Sequence, residues 1–196
     1  IMLSNTSKMP GKSISLSAEE CITGSKLAKI KDTVCEDCYA LKGAYRYPVV
    51  KNKMGERMGF FNASNFVPLM VMELNRTKSD YFRWFDSGDV QSVKMCLDIL
   101  DVCDRTPNKK HWIPTKEHKF WKDALKTRAL PDNVVLRFSA YMIDKAPSKN
   151  WQWSSAVVRD AKPYGHACPA PDQGGKCLTC RACWSKDVKT VSYHKH

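Results

Sequence analysis

With 196 residues, 32 Lys and Arg against 20 Asp and Glu, and a net charge of +12, the chain is long enough to bury one core and basic enough to attract anions. No run of 18 apolar residues occurs, which excludes a membrane-spanning helix, and the first dozen residues lack the apolar centre of a signal peptide. The chain therefore reads as unprocessed and cytoplasmic, a reducing compartment in which its nine cysteines point to metal or catalysis rather than disulfides.

In chain order, Ser13 to Ser17 alternates like a short strand and leads into a loop holding Cys21. After Cys38 a helical stretch is expected from Tyr39 to about Tyr45. Helices follow over 49–61 and 66–78, with Asn62-Ala63-Ser64 as the break and cap between them. Tyr81 to Phe85 reads as a strand that stops at Asp86-Ser87-Gly88-Asp89, and a helix runs from Gln91 to Cys103. His111 to Pro114 predicts the next strand, with Thr115 and Lys116 at its end and a helix from Glu117 to Arg128. Val134 to Ser139 and Ala156 to Val158 complete the set. Strands alternating with helices at this spacing predict an α/β fold built of βαβ units on a mainly parallel sheet. A complete eightfold barrel takes about 250 residues, so a small partial β/α barrel or an open sheet is expected. One domain is expected over 1–196, with a cysteine-rich segment from about 151 to 196 packed on it. That segment is rich in turns and low in apolar residues, so a metal is expected to organise it.

Seven cysteines fall into two groups. The C-terminal group is Cys168-Pro169, then Cys177, Cys180 and Cys183 at successive two-residue gaps. A close run plus a remote Cys-Pro supplies the four thiolates of a ferredoxin-type [4Fe–4S] site. Four cysteines also suit tetrahedral Zn²⁺, although zinc ribbons generally use two separated pairs. The N-terminal group, Cys21, Cys35 and Cys38, offers three ligands. It could hold its own cluster and leave one iron open. It could share a site with a C-terminal cysteine or with His166, His194 or His196. Or Cys35 and Cys38 could form a redox pair. Cys96 and Cys103 lie in register with Val93, Leu97 and Leu100 on an amphipathic helix and read as core.

Asp86, Ser87, Gly88 and Asp89 sit at a strand end where a turn aims side chains into a cleft, which makes them candidate cofactor-binding residues; a plain solvated turn is the competing reading. Lys116 and Lys119 suit a phosphate or an exposed helix start. Trp84, Trp112 and Trp151 are expected in the core, and Trp184, next to Cys183, is placed to shield a cluster from water. No P-loop, GxGxxG, HExxH or GxSxG motif is present, which removes the common nucleotide and hydrolase readings.

The run Cys35-Glu36-Asp37-Cys38-Tyr39-Ala40-Leu41-Lys42-Gly43, the strand end Arg83-Trp84-Phe85-Asp86-Ser87-Gly88-Asp89, the strand end Trp112-Ile113-Pro114-Thr115-Lys116 and the closing Cys177, Cys180, Cys183 and Trp184 resemble the bacteriophage gene-product-eighty-eight family, from about Ser13 to Trp184. The resemblance implies a phage protein acting in the bacterial host cytoplasm. A fainter similarity is to radical S-adenosylmethionine enzymes, which have a partial β/α barrel, three cysteines after the first strand and a glycine-rich turn after the second. It implies that Cys21, Cys35 and Cys38 hold a cluster with an open iron for the methionine moiety, that Asp86 or Asp89 meets its amino group, and that the C-terminal four hold an auxiliary cluster. That family has three residues in the first cysteine gap, against thirteen here, and an aromatic before the last cysteine, where this chain has Asp37.

The expectation is thus an iron–sulfur protein with one or two [4Fe–4S] clusters and a structural, electron-transfer or partner-binding role. The alternatives are a radical S-adenosylmethionine-like enzyme and a zinc-stabilised protein that binds nucleic acid through its basic surface.

Overall fold

The computed structural model describes residues 3–195. Eight strands, β1 Ser4–Asn5, β2 Lys12–Ile14, β3 Tyr81–Trp84, β4 Lys110–Thr115, β5 Val134–Ser139, β6 Trp153–Val158, β7 His166–Ala167 and β8 Thr190–His194, form one sheet in the order β1-β2-β3-β4-β5-β6-β8-β7. β1 is antiparallel to β2, and the other neighbours are parallel. Helices α1 Ile22–Leu27, α2 Pro48–Asn62 and α3 Phe66–Asn75 lie between β2 and β3, α4 Val93–Asp104 follows β3, and α5 His118–Thr127 follows β4. The expected α/β architecture is present. None of these helices is long and apolar enough to cross a membrane among the described residues.

From β2 to β6 the sheet adds strands in one direction. Right-handed crossovers place such connecting helices on one face, and α3, α4 and α5 do pack side by side. Alternation along each strand decides what that face buries. Phe82 and Trp84 of β3, Ile113 of β4, and Val134, Leu136 and Phe138 of β5 meet Met95, Ile99 and Leu100 of α4 in one apolar core. Each such side chain contributes about 1.5–3 kcal/mol on burial. Ser92 starts α4 in an extended conformation (φ −161, ψ 162), its hydroxyl accepting from Met95 N at 3.1 Å. That cap moves the helix start from the expected Gln91 to Val93. Cys96 and Cys103 are fully buried on this helix and pack as small hydrophobes, as their register implied.

The opposite face is concave. Trp112 of β4 and Tyr193 of β8 stack with ring centroids 6.5 Å apart. Their strands are three places apart in the sheet, a separation of about 14 Å if it were flat. The parallel strands therefore curl toward each other. The two edges also approach: Cys177 N donates to Lys8 O, in the β1–β2 turn, at 2.8 Å, and Lys195 Nζ stands 3.7 Å from Asp37 Oδ2. The result is a partial barrel whose seam is bridged by the segment between β6 and β8.

That segment departs from the sequence expectation. Protein contacts anchor it. Arg137 of β5, fully buried, donates to the carbonyls of Ser154, Ala182, Ser185, Val188 and Lys189 at 3.0–3.4 Å. Trp184 donates from Nε1 to Phe82 O at 2.9 Å and packs edge-on against Trp112 and Tyr81. β8 then pairs with β6 over five residues. Other differences are local. The stretch after Cys38 forms two 3₁₀ turns, Tyr39–Leu41 and Gly43–Arg46, interrupted by an extended Lys42, rather than one helix. The helix α1 lies in what reads as a loop.

Candidate metal centres

The first cysteine group sits at the C-terminal ends of the parallel strands. After β2 the chain reaches Cys21, which precedes α1. Glu117, buried at the end of β4, accepts from Thr23 N at 2.7 Å and from Thr23 Oγ1 at 2.8 Å and so pins the start of that helix. The segment carrying Cys35 and Cys38 is fastened to the loop after β5: Val34 N donates to Tyr141 O at 2.9 Å, Ile143 N donates to Asp32 O at 2.8 Å, and Thr33 bridges Met142. Gly24 separates the sulfurs' backbones. A Cβ there would lie 2.9 Å from Cys21 Cβ, 3.5 Å from Cys21 Sγ and 3.7 Å from Cys35 Sγ. Both sulfurs thus face one small gap that a side chain would fill.

The turn after β3 forms the floor of this mouth. Phe85 takes a left-handed conformation (φ 52), and Ser87 Oγ donates to Leu16 O at 2.8 Å while Leu16 N donates to Ser87 O at 3.0 Å. Gly88 (φ 76) is required there, because a Cβ would meet Leu16 Cβ at 2.6 Å and Leu16 O at 2.7 Å. Asp89 is buried and accepts from Val90 N at 2.8 Å, Thr115 Oγ1 at 2.8 Å and Lys116 N at 2.7 Å. It joins the ends of β3 and β4. Burial pushes its pKa up to about 6, against the pull of those donors. Asp86 differs: its backbone carbonyl accepts from the Tyr39 hydroxyl, and its Oδ1 is buried without a hydrogen-bond partner among the described residues. Burial raises Cys21 to about 12, with Asp89 adding to the rise and Lys116 opposing it, and burial raises Cys35 as well. Burial thus favours the neutral thiol at both cysteines.

The second group lines one hollow at the seam, together with His166, Trp184 and Val191. All four cysteines, Cys168, Cys177, Cys180 and Cys183, contribute to its wall. Cys168 N is fixed to Ser192 O at 2.8 Å, and Cys180 Sγ is 3.7 Å from His166 Nε2. Cys183 Sγ is 3.1 Å from the Tyr193 hydroxyl. Burial raises Cys183 to about 11, with Tyr193, Arg137 and Arg83 opposing. Burial raises Cys177 too.

The two groups are separate. Cys21 and Cys35 face each other across Gly24 at the strand ends, whereas the seam hollow is lined by Cys168, Cys177, Cys180 and Cys183 and by no cysteine of the first group. His166 belongs to the seam, His194 contacts its neighbour's carbonyl at Lys195 O, and His196 lies outside the described residues. Cys35 and Cys38 are not joined by a disulfide. Among the described residues, no three His, Cys, Asp or Glu side chains form a group that could hold a metal ion as they stand. Sequence reasoning missed Glu117, Tyr193, Arg83 and Arg137. The last had a signal: a single arginine inside the apolar run Val134-Val135-Leu136-Arg137-Phe138.

Residues 3–186 match the model of a family described as Gene product 88. No curated protein and no solved structure matches the chain.

Proposed function

The chain belongs to the Gene product 88 family, and on that premise we propose that it is an iron–sulfur protein with two thiolate sites. Cys168, Cys177, Cys180 and Cys183 would hold one [4Fe–4S] cluster at the seam. Cys21, Cys35 and Cys38 would hold a second at the mouth of the strands, with one iron left without a cysteine. The observation that carries the reading is the gathering of all four C-terminal cysteines around one hollow, with no other sulfur or carboxylate in its wall. A lone Zn²⁺ with bonds of about 2.3 Å would draw four sulfurs to roughly 3.8 Å of one another. A cluster, whose thiolates bond to separate irons, suits four cysteines arrayed around one hollow. The donor chemistry fits as well: four soft sulfur ligands, a hydroxyl at Cys183 and an indole beside it. When bound, such a cluster supplies one-electron chemistry.

A second reading is favoured by the position of the three-cysteine group. In parallel β/α sheets, chemistry gathers at the C-terminal strand ends, and this group stands there with Asp89 and Lys116 acting on it and with Asp86 bonded through its carbonyl to Tyr39, the residue after Cys38. Under that reading the mouth binds a small molecule beside the open iron, with S-adenosylmethionine as the first candidate.

Anaerobic purification followed by iron, sulfide and zinc analysis tests both. Eight irons and eight sulfides per chain are expected, falling by half in Cys180→Ala or Cys35→Ala and unchanged in Cys96→Ala. Stoichiometric zinc without sulfide would overturn the cluster reading. It would leave a zinc-stabilised protein with an anion-binding surface to be tested by salt-dependent nucleic-acid binding.

A further inference from the structure

On the concave face of the sheet two guanidiniums, the fully buried one of Arg137 and the half-buried one of Arg83, make no ion pair with a carboxylate among the described residues. Arg137 is fully buried and donates through its two terminal nitrogens to neutral backbone carbonyls alone. Arg83 lies with its guanidinium 4.6 Å from the centre of the Trp112 ring and reaches Met9 Sδ at 3.5 Å. The Nε atoms of both arginines are buried and have no hydrogen-bond partner among the described residues. Both charges bear on the same place. Arg137 donates to Ala182 O and Ser185 O on either side of Cys183, and Arg83 lies over Trp112, whose ring packs on Trp184 and on Tyr193, the partner of Cys183 Sγ. The charge of Arg137, held in a low-dielectric interior, is costly unless a negative group answers it, and Arg83 adds a second positive charge beside it. The four-cysteine hollow is where that group belongs.

We propose that Arg83 and Arg137 are the built-in counter-charges of an anionic four-thiolate centre at the seam, and that they raise its reduction potential. The inference rests on the iron–sulfur reading of that site and concerns how this chain tunes it. Four thiolates around a [4Fe–4S] core leave a net negative centre, and taking up one electron from a reductant adds one further negative charge. Fixed positive charges stabilise the reduced form more than the oxidised form, so they shift the potential upward, more strongly where water is excluded. Arg83 and Arg137 are positioning residues for charge: they act through the field, not as ligands.

The test uses the full chain reconstituted anaerobically with ferrous iron and sulfide, in a Cys21→Ala, Cys35→Ala background that retains the seam site alone. Dithionite titration of the visible absorbance gives the midpoint potential, and iron and sulfide are counted in the same samples. Arg83→Gln is expected to lower the reduced-to-oxidised ratio at a fixed potential about tenfold, which is 59 mV for one electron, at undiminished iron content. Arg83→Lys, which keeps the charge, should stay close to the parent. A second readout needs no redox chemistry. The rise in melting temperature on loading iron and sulfide should be smaller in Arg83→Gln than in the parent, because the metal-free parent carries the unanswered charge. An unchanged potential at full iron content would overturn the counter-charge role and leave the cluster reading standing. A parent that binds no iron and sulfide would overturn the cluster reading itself, and this inference with it.

Discussion

Buried polar residues in this protein are tied to a single chemical state. His111 of β4 is fully buried between Trp84 and Thr106. Its Nδ1 accepts from Trp84 Nε1 at 3.2 Å, and its Nε2 meets Thr106 Oγ1 at 2.9 Å, whose hydroxyl proton goes to Val102 O at 2.7 Å. Only the neutral ring protonated at Nε2 satisfies both neighbours. Burial accordingly pushes its pKa down from 6.5 to about 3. A group depressed in this way contributes stability that is complete above pH 6.5 and is lost as pH falls toward 3. At about 1.36 kcal/mol per pKa unit, the loss between pH 7 and pH 4 is on the order of 3 kcal/mol. Urea unfolding across that range should show it. His111→Gln should flatten the acid slope while costing about 1–3 kcal/mol at pH 7 through imperfect replacement of the two hydrogen bonds. Equal slopes for the two proteins would remove His111 from the account. At this scale the sequence was informative where periodicity spoke, as for Cys96 and Cys103, and for Asp89, whose place at a strand end followed from the turn residues around it. It was silent on Arg83, because an arginine alternating with aromatics in a short strand reads equally well as solvent-facing.

Among elements, legibility followed length and pattern. β5 was read to the residue, and α2 to α5 within three residues at each end, since apolar spacing and a cap such as Ser92 define them locally. What escaped was held by distant partners. α1 has six residues and depends on Glu117, far along the chain, for its first turn. β8 alternates as a strand should, but it is embedded in a turn-rich tail and gains its order from pairing with β6. The same dependence makes a prediction for α1. Two hydrogen bonds to a carboxylate are worth about 1.5–3 kcal/mol each when one partner is charged, and each 1.4 kcal/mol is about tenfold in an equilibrium. Glu117→Ala should therefore leave the sheet folded while raising local opening around Cys21 at least tenfold. Timed alkylation of the metal-free protein with iodoacetamide, read by mass spectrometry, would report this as faster modification of Cys21 with Cys96 still protected. Unchanged alkylation of Cys21 would mean that α1 is held by something other than Glu117.

On the scale of the molecule, curling of the sheet creates both candidate centres and keeps them apart. The strand ends open into the mouth that holds Cys21, Cys35 and Cys38. The two edges meet across the segment that holds the other four cysteines. An amino-acid pattern read along the chain cannot register such closure, because the contacts that make it, Trp112 on Tyr193 and Cys177 on Lys8, join residues remote in sequence. This is why composition alone suggested a tail ordered by metal. The five carbonyls bound by Arg137 and the packing of Trp184 argue otherwise, and the difference is measurable. Stripping metal with a chelator and reductant should leave β6, β8 and residues 182–189 protected in hydrogen exchange. Only the stretch from Cys168 to Cys180, which has few apolar contacts, should become labile. Trp184→Ala should do the reverse and loosen β8 and the concave face whether or not metal is bound. Removal of a buried tryptophan typically costs about 3–5 kcal/mol. If chelation instead exposed β8 as fully as Trp184→Ala does, the metal rather than the arginine and tryptophan would be the element that closes the barrel.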